Sequence, residues 1–454
     1  DSGVLTVTGT SSFTTSQNNA DIYLNNTNAF TGAVSLNTTG SSGHAIVDNG
    51  ITALNLAASS VGGQLHLISG HASGITDSGT VTVGGDLSAT TDDNNGIINL
   101  GTLAVAAGKT ITLTTDDAAG NAGHATIDND YAVTLAASTV DGNLTVAAET
   151  GNIEDTGILT VTGTSSFITR ANNADIDLNS ANMFTGYVDF NTSGSSGHVT
   201  FTTGATALDL DASSVGGNLT LTAGHNVTGR GALVVGGTAT FEVPSKELKL
   251  NTGANDFQGP INVVNGFKTQ ITDTNAVELG DIASSKWFYL YARGAVTQTD
   301  ASAITNGSPI MKIHAQSADG NTDYDITLKN EDNVIQNIFD WRGRDIEVVS
   351  NRAVQIGYAS STLDAITASG DFKLTARGAV TDNISPHNIA IAGLTTITAQ
   401  SADGNTDYDI TLDLAGHDFS TISVTGANVA LVDENAIALG ASTVSGTYAV
   451  TATA

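Results

Sequence analysis

The chain is 454 residues long, sets 45 acidic against 15 basic residues for a net charge of −30, and has no cysteine. Charge of that sign and size repels a phosphate backbone or an anionic membrane, and the lack of cysteine excludes disulfides and thiolate metal sites. With 40% hydrophobic residues, 50 glycines and 4 prolines, the composition excludes disorder and helix bundles and favours short strands joined by tight turns.

Only Lys109 and Arg170 are basic in the first 229 positions. No apolar run approaches the ~20 residues needed to span a bilayer, and the first residues lack the basic and apolar regions of a signal peptide. Because DSGVLTVTG opens directly in strand pattern, the expectation is a processed piece of an exported protein.

In chain order, DSGVLTVTGTSSF at residue 1 returns as DTGILTVTGTSSF at residue 155, and the offset of 154 holds without a gap through SSGHA (41–45) and SSGHV (195–199). Between them DSGTVTVGG starts at Asp77 and GHATID (123–128) answers GHAIVD (43–48), so the unit is half as long, about 77 residues. Three copies fill residues 1–230. Further on, LKLNTGANDFQGPINV (248–263) echoes IYLNNTNAFTGAVSL (22–36), and NAVELG, RAVQIG and NAIALG stand at 275, 352 and 435. ARGAVT occurs at 292 and 376, and AQSADGNTDYDITL occurs identically at 315–328 and 399–412, both pairs at an offset of 84. Positions 231–454 thus read as about three more divergent copies with insertions, giving about six units in all, with a period of about 77 to 84.

Inside a unit, apolar residues alternate with polar ones over short runs: Leu159 and Val161, Ile176 and Leu178, Val188 and Phe190, Leu208 and Leu210, Leu219 and Leu221. Period two punctuated by Gly, Asn or Asp predicts strand and turn, and nothing recurs at helical spacing. An array of antiparallel sandwiches would need linkers that are absent. A narrow core of Val, Leu, Ile and Ala suits stacked rungs better, so the predicted fold is an all-β parallel β-helix, a β-solenoid. At roughly 20 to 30 residues per rung there would be about 15 to 22 rungs, spanning on the order of 70 to 110 Å.

FTGAV (30–34), FTGYV (184–188), GNLTLTAG (217–224) and NAVELG (275–280) resemble the β-strand repeats of giant bacterial surface and secreted proteins, the filamentous-haemagglutinin-like adhesins and related exoproteins. The resemblance covers nearly the whole chain. It implies a right-handed β-helix, export, and an adhesive or scaffolding role, with no catalytic residues to carry over.

Several residues carry candidate chemistry. Histidine follows glycine or sits beside it at His44, His71, His124, His198 and His225, which resembles active-site motifs of β-helical pectin hydrolases. Yet His44, His124 and His198 share one phase of three copies, and a residue copied with the repeat reads as a turn or face position. The pairs Asp92–Asp93 and Asp116–Asp117 read as surface turns. Trp287, Tyr289 and Tyr291 alternate with Phe288 and Leu290 and are expected to point outward, forming with Trp341 a contact surface for glycan or protein, or to lie beneath the segment 330–345 that holds Trp341. In the duplicated segment Asp319, Asn321, Asp323 and Asp325, with Asp403, Asn405, Asp407 and Asp409, place oxygens at alternate positions beside a glycine turn, the arrangement a Ca²⁺ ion takes. The competing reading is a plain turn leading into a strand with Tyr324, Ile326 and Leu328 inward.

The expected function is non-enzymatic: an extracellular structural and adhesive β-solenoid without cofactor, save Ca²⁺ at the residues named, that binds neither nucleic acid nor membrane. Its final residues, TVSGTYAVTATA (443–454), still alternate, so the expected partner of a terminal rung is an identical subunit stacked head to tail or an adjoining part of a longer chain. The alternative is a polysaccharide-binding or polysaccharide-active β-helix.

Overall fold

The computed structural model describes residues 1–92, 95–115, 122–305, 310–357, 365–383 and 388–453. Among these residues there is no helix, and the strands wind into a parallel β-solenoid of about 19 turns. The alternation read from the sequence is the cause: Leu159, Val161, Ile176, Leu178, Val188, Phe190, Leu208, Leu210, Leu219 and Leu221 are all buried, each contributing roughly 1.5 to 3 kcal/mol to folding. Intervening Thr, Ser and Asn side chains face outward, and Gly, Asn and Asp make the corners. The chain divides into two compact units, Asp1–His225 with Leu233–Gly237, and Asn226–Ala232 with Thr238–Ala454.

In the first unit the turns lay their strands into stacked columns, two of which lie about half a turn apart along the chain. One runs from Ala45–Asp48 through Leu65–Ser69, Leu87–Thr91, Thr110–Thr115, Val133–Leu135, Ile153–Asp155 and Ile176–Phe184 to Val199–Thr203. The other runs Leu54, Ile75, Ile98, Ala125, Leu144, Ser165, Val188, Leu210. Its shortest step is from Ala125 to Leu144 and its longest from Ile98 to Ala125, the turn that carries an insertion. Seven pairings separate Ala45–Asp48 from Val199–Thr203, and Val199 is the copy of Ala45 at the offset of 154. Two copies therefore span seven turns, and one copy spans three and a half. The copy that begins with His124 accordingly enters the second column at Ala125, whereas those beginning with His44 and His198 enter the first.

In the core of this unit Phe167, Phe184, Phe190 and Phe201 meet. Phe190 lies 5.0 Å from Phe201 and 6.1 Å from Phe167, and Phe184 lies 5.4 Å from Phe201. Buried asparagines close the polar gaps that bent strands leave. The Oδ1 atoms of Asn49, Asn129 and Asn182 accept the backbone N–H of Phe30, Val105 and Leu159 in the preceding turn, at 2.7–2.8 Å, which satisfies amides that no ladder partner reaches.

The second unit keeps the half-turn rule with longer turns. Ile326, Ile346, Phe372 and Thr395 are successive partners in one column, and Val354, Val380, Ile410 and Val429 are successive partners in the other. Ile410 is the copy of Ile326, so the offset of 84 again makes three turns and a half. As a result the two identical segments leave the stack at different corners.

Candidate functional site

The residues with the most chemistry in the sequence turn out to share one task. At corner after corner, a His, Asn or Asp side chain ahead of a stacked strand accepts the backbone N–H of the matching residue in the next turn. In the first unit Asp21 Oδ1 takes the His44 amide at 2.9 Å, and His44 Nδ1 takes the Gln64 amide at 2.9 Å. Asn152 serves Asp175 (2.9 Å), Asp175 serves His198 (2.7 Å), and His198 Nδ1 serves Asn218 (2.8 Å). On the second column His124 Nδ1 takes the Asn143 amide and Asn143 takes that of Thr164, both at 2.9 Å. In the second unit Asp345 serves Asp371 and Asp371 serves Leu394, both at 2.8 Å, while Asp409 serves Asn428 (3.0 Å) and Asn428 serves Thr447 (3.1 Å).

Such a corner admits no side chain where the next turn passes. A Cβ at Gly63, Gly142 or Gly217 would stand 2.5–2.6 Å from the Nδ1 atom of His44, His124 or His198, which accounts for the glycine fixed in phase with each histidine. The repeated histidines are turn residues, and because Nδ1 accepts, the ring proton resides on Nε2. His71 Nδ1 accepts the Ser73 amide at 2.9 Å inside its own turn, and His225 is exposed. Asp92 is an exposed turn residue, and Asp93, Asp116 and Asp117 lie outside the described residues.

The duplicated segment forms a small hairpin, closed by an antiparallel bridge at Gln316–Asp323 in one copy and Gln400–Asp407 in the other. Its side chains are directed to separate partners. Asp319 Oδ1 accepts from Ser317 Oγ (2.6 Å) and the Asn321 amide (3.1 Å), Asn321 Nδ2 donates to Asp319 Oδ2 (2.8 Å), and Asp323 Oδ1 accepts from Gln316 Nε2 (2.7 Å). Asp403 repeats the bonds to Ser401 and the Asn405 amide, and Asp407 that to Gln400. Asp325 is held by Arg344 through Nε (2.8 Å) and Nη2 (2.6 Å), whereas Asp409 accepts from Asn428. Hydrogen bonds from serine and from the turn draw the Asp319 and Asp403 carboxyls down to about 2. These bonds engage the carboxylates and amides that the sequence offers to a cation. Asn321 turns toward Asp319, while Asp323 is held by Gln316 and Asp325 by Arg344, and among the described residues no group of three or more His, Cys, Asp or Glu side chains gathers as metal ligands. Gly320 and Gly404 both sit at φ +70°, which fixes the glycine of each turn.

Trp287, Tyr289 and Tyr291 lie outward and half-buried, between Phe288 and Leu290 of the core. Trp287 and Tyr289 stack on each other at 4.3 Å and 22°, so one face of each ring is occupied by the other. Lys268 Nζ stands 5.4 Å from the Trp287 ring and pairs with Glu247, and Tyr291 meets His314 edge-on at 5.2 Å. The segment expected to cover them instead supplies turns of its own. Trp341 is wholly buried, and its indole N–H donates to the Met311 carbonyl at 2.7 Å. Trp341 is therefore a core residue, and its expected place in a contact surface is withdrawn.

Next to Trp341 stands a cluster that the sequence did not announce. Asp340, buried and at φ +50°, pairs with Lys312, with His314 Nε2 at 3.1 Å and with Arg342 Nε at 2.9 Å. Burial opposes its charge, but hydrogen bonds from the three basic side chains hold its carboxyl well below the usual aspartate range. Burial pushes the His314 imidazole down in spite of Asp340. Lys312 is raised, the carboxylate more than offsetting its burial. The only sequence signal was three polar residues at alternate positions of adjacent strands.

Comparison with known proteins gives one family. A family model described as repeats of unknown function (DUF5649) matches residues 1–37, 122–191, 196–264, 266–340, 351–425 and 426–454. Neither the curated proteins nor the solved structures gave a significant match. The matches cover most of the chain in six stretches that follow its internal period, and the chain belongs to this family of repeats.

Proposed function

We propose that the chain is a non-enzymatic structural repeat region of an exported protein, at a bacterial cell surface or in an extracellular matrix, with a spacing and adhesive role like that of the filamentous-haemagglutinin-like proteins its strands resemble. The observation that carries this reading is the corner ladder: histidines, aspartates and asparagines that would serve an active site are instead repeated in phase and bonded to the adjacent turn. A charge of −30 suits a well-solvated, self-repelling surface.

The partner is a further β-solenoid turn, from an identical subunit or from an adjoining part of the same polypeptide. In the second unit Leu439 and Tyr448 are 53% and 38% exposed, and Tyr448–Ala452 pairs in parallel with Val429–Asp433. Uncovered apolar residues along a strand favour contact with a further strand. Sedimentation and negative-stain microscopy over a concentration series test it. Growth of end-to-end oligomers, abolished by Leu439→Asp with Tyr448→Lys, is expected; a strictly monomeric protein at high concentration would sink the stacking partner, and turnover of any polysaccharide would sink the non-enzymatic reading.

A further inference from the structure

We infer that the concave corner beside the first column of the first unit binds an uncharged, hydroxyl-rich ligand, a neutral saccharide. A concavity of about 420 Å³ lies among Tyr23, His44, Ile46, Gln64 and His66, and another of about 280 Å³ among Asp177, His198, Thr200, Asn218 and Thr220, with Asp175 at its edge. These are one place seen twice, since every residue of the first set precedes its counterpart in the second by 154 positions. Seven turns separate them on the same column, about 34 Å at ~4.8 Å per turn. Their volumes fall near the lower bound of small-molecule sites, about 300 Å³.

The lining selects the ligand class. Because Nδ1 of His44 and of His198 is engaged by the next turn, each ring presents Nε2–H as a donor on its opposite side. Beside these donors stand side-chain amides at Gln64 and Asn218, hydroxyls at Thr200 and Thr220, and a Tyr23 hydroxyl that donates to Asp21 at 2.8 Å. Donors and acceptors side by side around a shallow hollow match a hydroxyl, which is both. No lysine or arginine lines either hollow, carboxylates line the second at Asp175 and Asp177, and Asp21 holds the Tyr23 hydroxyl beside the first, so phosphate, sulfate and uronate groups are disfavoured. A cation lacks the converging ligands it needs. Tyr23, 49% exposed, adds an aromatic surface to the first hollow, of the kind that packs against a sugar ring.

The chain itself supplies the control substitution. Asparagine fills the same corner at Asn143, Asn152 and Asn428, where Oδ1 accepts the next amide, so His44→Asn with His198→Asn preserves the ladder bond while removing Nε2–H. Neutral hexasaccharides of β-1,4-glucose, β-1,3-glucose, α-1,4-glucose and β-1,4-N-acetylglucosamine, with polygalacturonate as the anionic counterpart, are titrated calorimetrically and by imidazole ¹⁵N NMR. At least one neutral hexasaccharide is expected to bind and shift the His44 and His198 resonances. The double variant, with unchanged circular dichroism, is expected to bind about tenfold more weakly, and polygalacturonate is expected not to bind. Absence of binding by all four neutral probes, equal affinity of the double variant, or binding of polygalacturonate as tight as that of the neutral probes would each overturn the assignment. The structural role proposed above stands or falls separately, on the oligomer assay.

Discussion

Asp273 is a wholly buried carboxylate placed where sister turns use asparagine, and replacing it with asparagine should remove the pH dependence it imposes. Its Oδ2 accepts the Phe257 amide at 2.8 Å and its Oδ1 the Asn275 amide at 2.7 Å, as Asn49 Oδ1 accepts from Phe30. Burial nonetheless dominates and pushes the carboxyl up from 3.8 to about 6, with the two amides acting in the opposite direction. A folded pKa above the unfolded one means that the native state holds the proton more tightly. The contribution is therefore complete below about pH 4 and is lost as pH rises through about 6. At roughly 1.4 kcal/mol per pH unit the interval amounts to about 3 kcal/mol. In Asp273→Asn the bond to Phe257 survives, while the one to Asn275 is lost at a cost of about 1 kcal/mol. The variant should then be about 2 kcal/mol more stable than wild type at pH 7.5 and about 1 kcal/mol less stable below about pH 3, with the two curves crossing near pH 4.5. Guanidinium midpoints followed by tryptophan fluorescence suit the measurement, because Trp287 and Trp341 both lie in the second unit and Trp287 pairs with Lys268 on the strand that ends at Asp273. Parallel pH profiles for the two proteins would refute the argument that desolvation outweighs the paired amides.

Asp340→Asn should destabilise the second unit by about 3 to 5 kcal/mol, because it leaves Lys312 and Arg342 beside a neutral group in a largely buried setting; a loss within about 1 kcal/mol, by chemical denaturation, would mean that water already serves those cations. Gly217→Ala should cost about 1 to 3 kcal/mol in the first unit through collision with His198, detected as faster amide exchange at Asn218, and unchanged exchange would show that the corner yields freely. Phe190→Ala removes one of the four rings of the phenylalanine cluster and should cost about 3 to 5 kcal/mol, with exchange accelerated first in Phe167 and Phe201, which it touches. Melting curves in EGTA and in millimolar Ca²⁺ should superimpose, since the hairpin carboxylates are already engaged, and stabilisation by Ca²⁺ would restore Asp319 and Asp403 as ligands.

Strand positions were legible because period two is a local signal: Phe288, Leu290, Phe372 and Leu374 are all buried as their spacing predicts. Which strand lies on which was not legible, because a unit of three and a half turns carries no mark of the turn length within it. The phase shared by His44, His124 and His198 was visible, but their acceptor role depends on an amide a full turn further along the chain. Trp341 misled because its environment is non-local: a tryptophan in an irregular insertion reads as surface until Met311 is placed one turn below it. Asn49 and Asn129 looked like turn residues and proved to be buried acceptors, with only their place at the end of VDN and IDN to betray them.

A repeat of three and a half turns makes parity a property of the first unit. Duplicating one copy carries every feature of that copy to the other column, and duplicating two brings it back. A surface trait that arises in one copy is thus displayed on alternating faces as the array grows, so an odd gain or loss of copies exchanges the faces that later copies present, while an even one leaves them in place. Lengthening by pairs is the neutral move for such a chain, and the gap-free register at an offset of 154 between 1–45 and 155–199 is the trace that growth by pairs would leave.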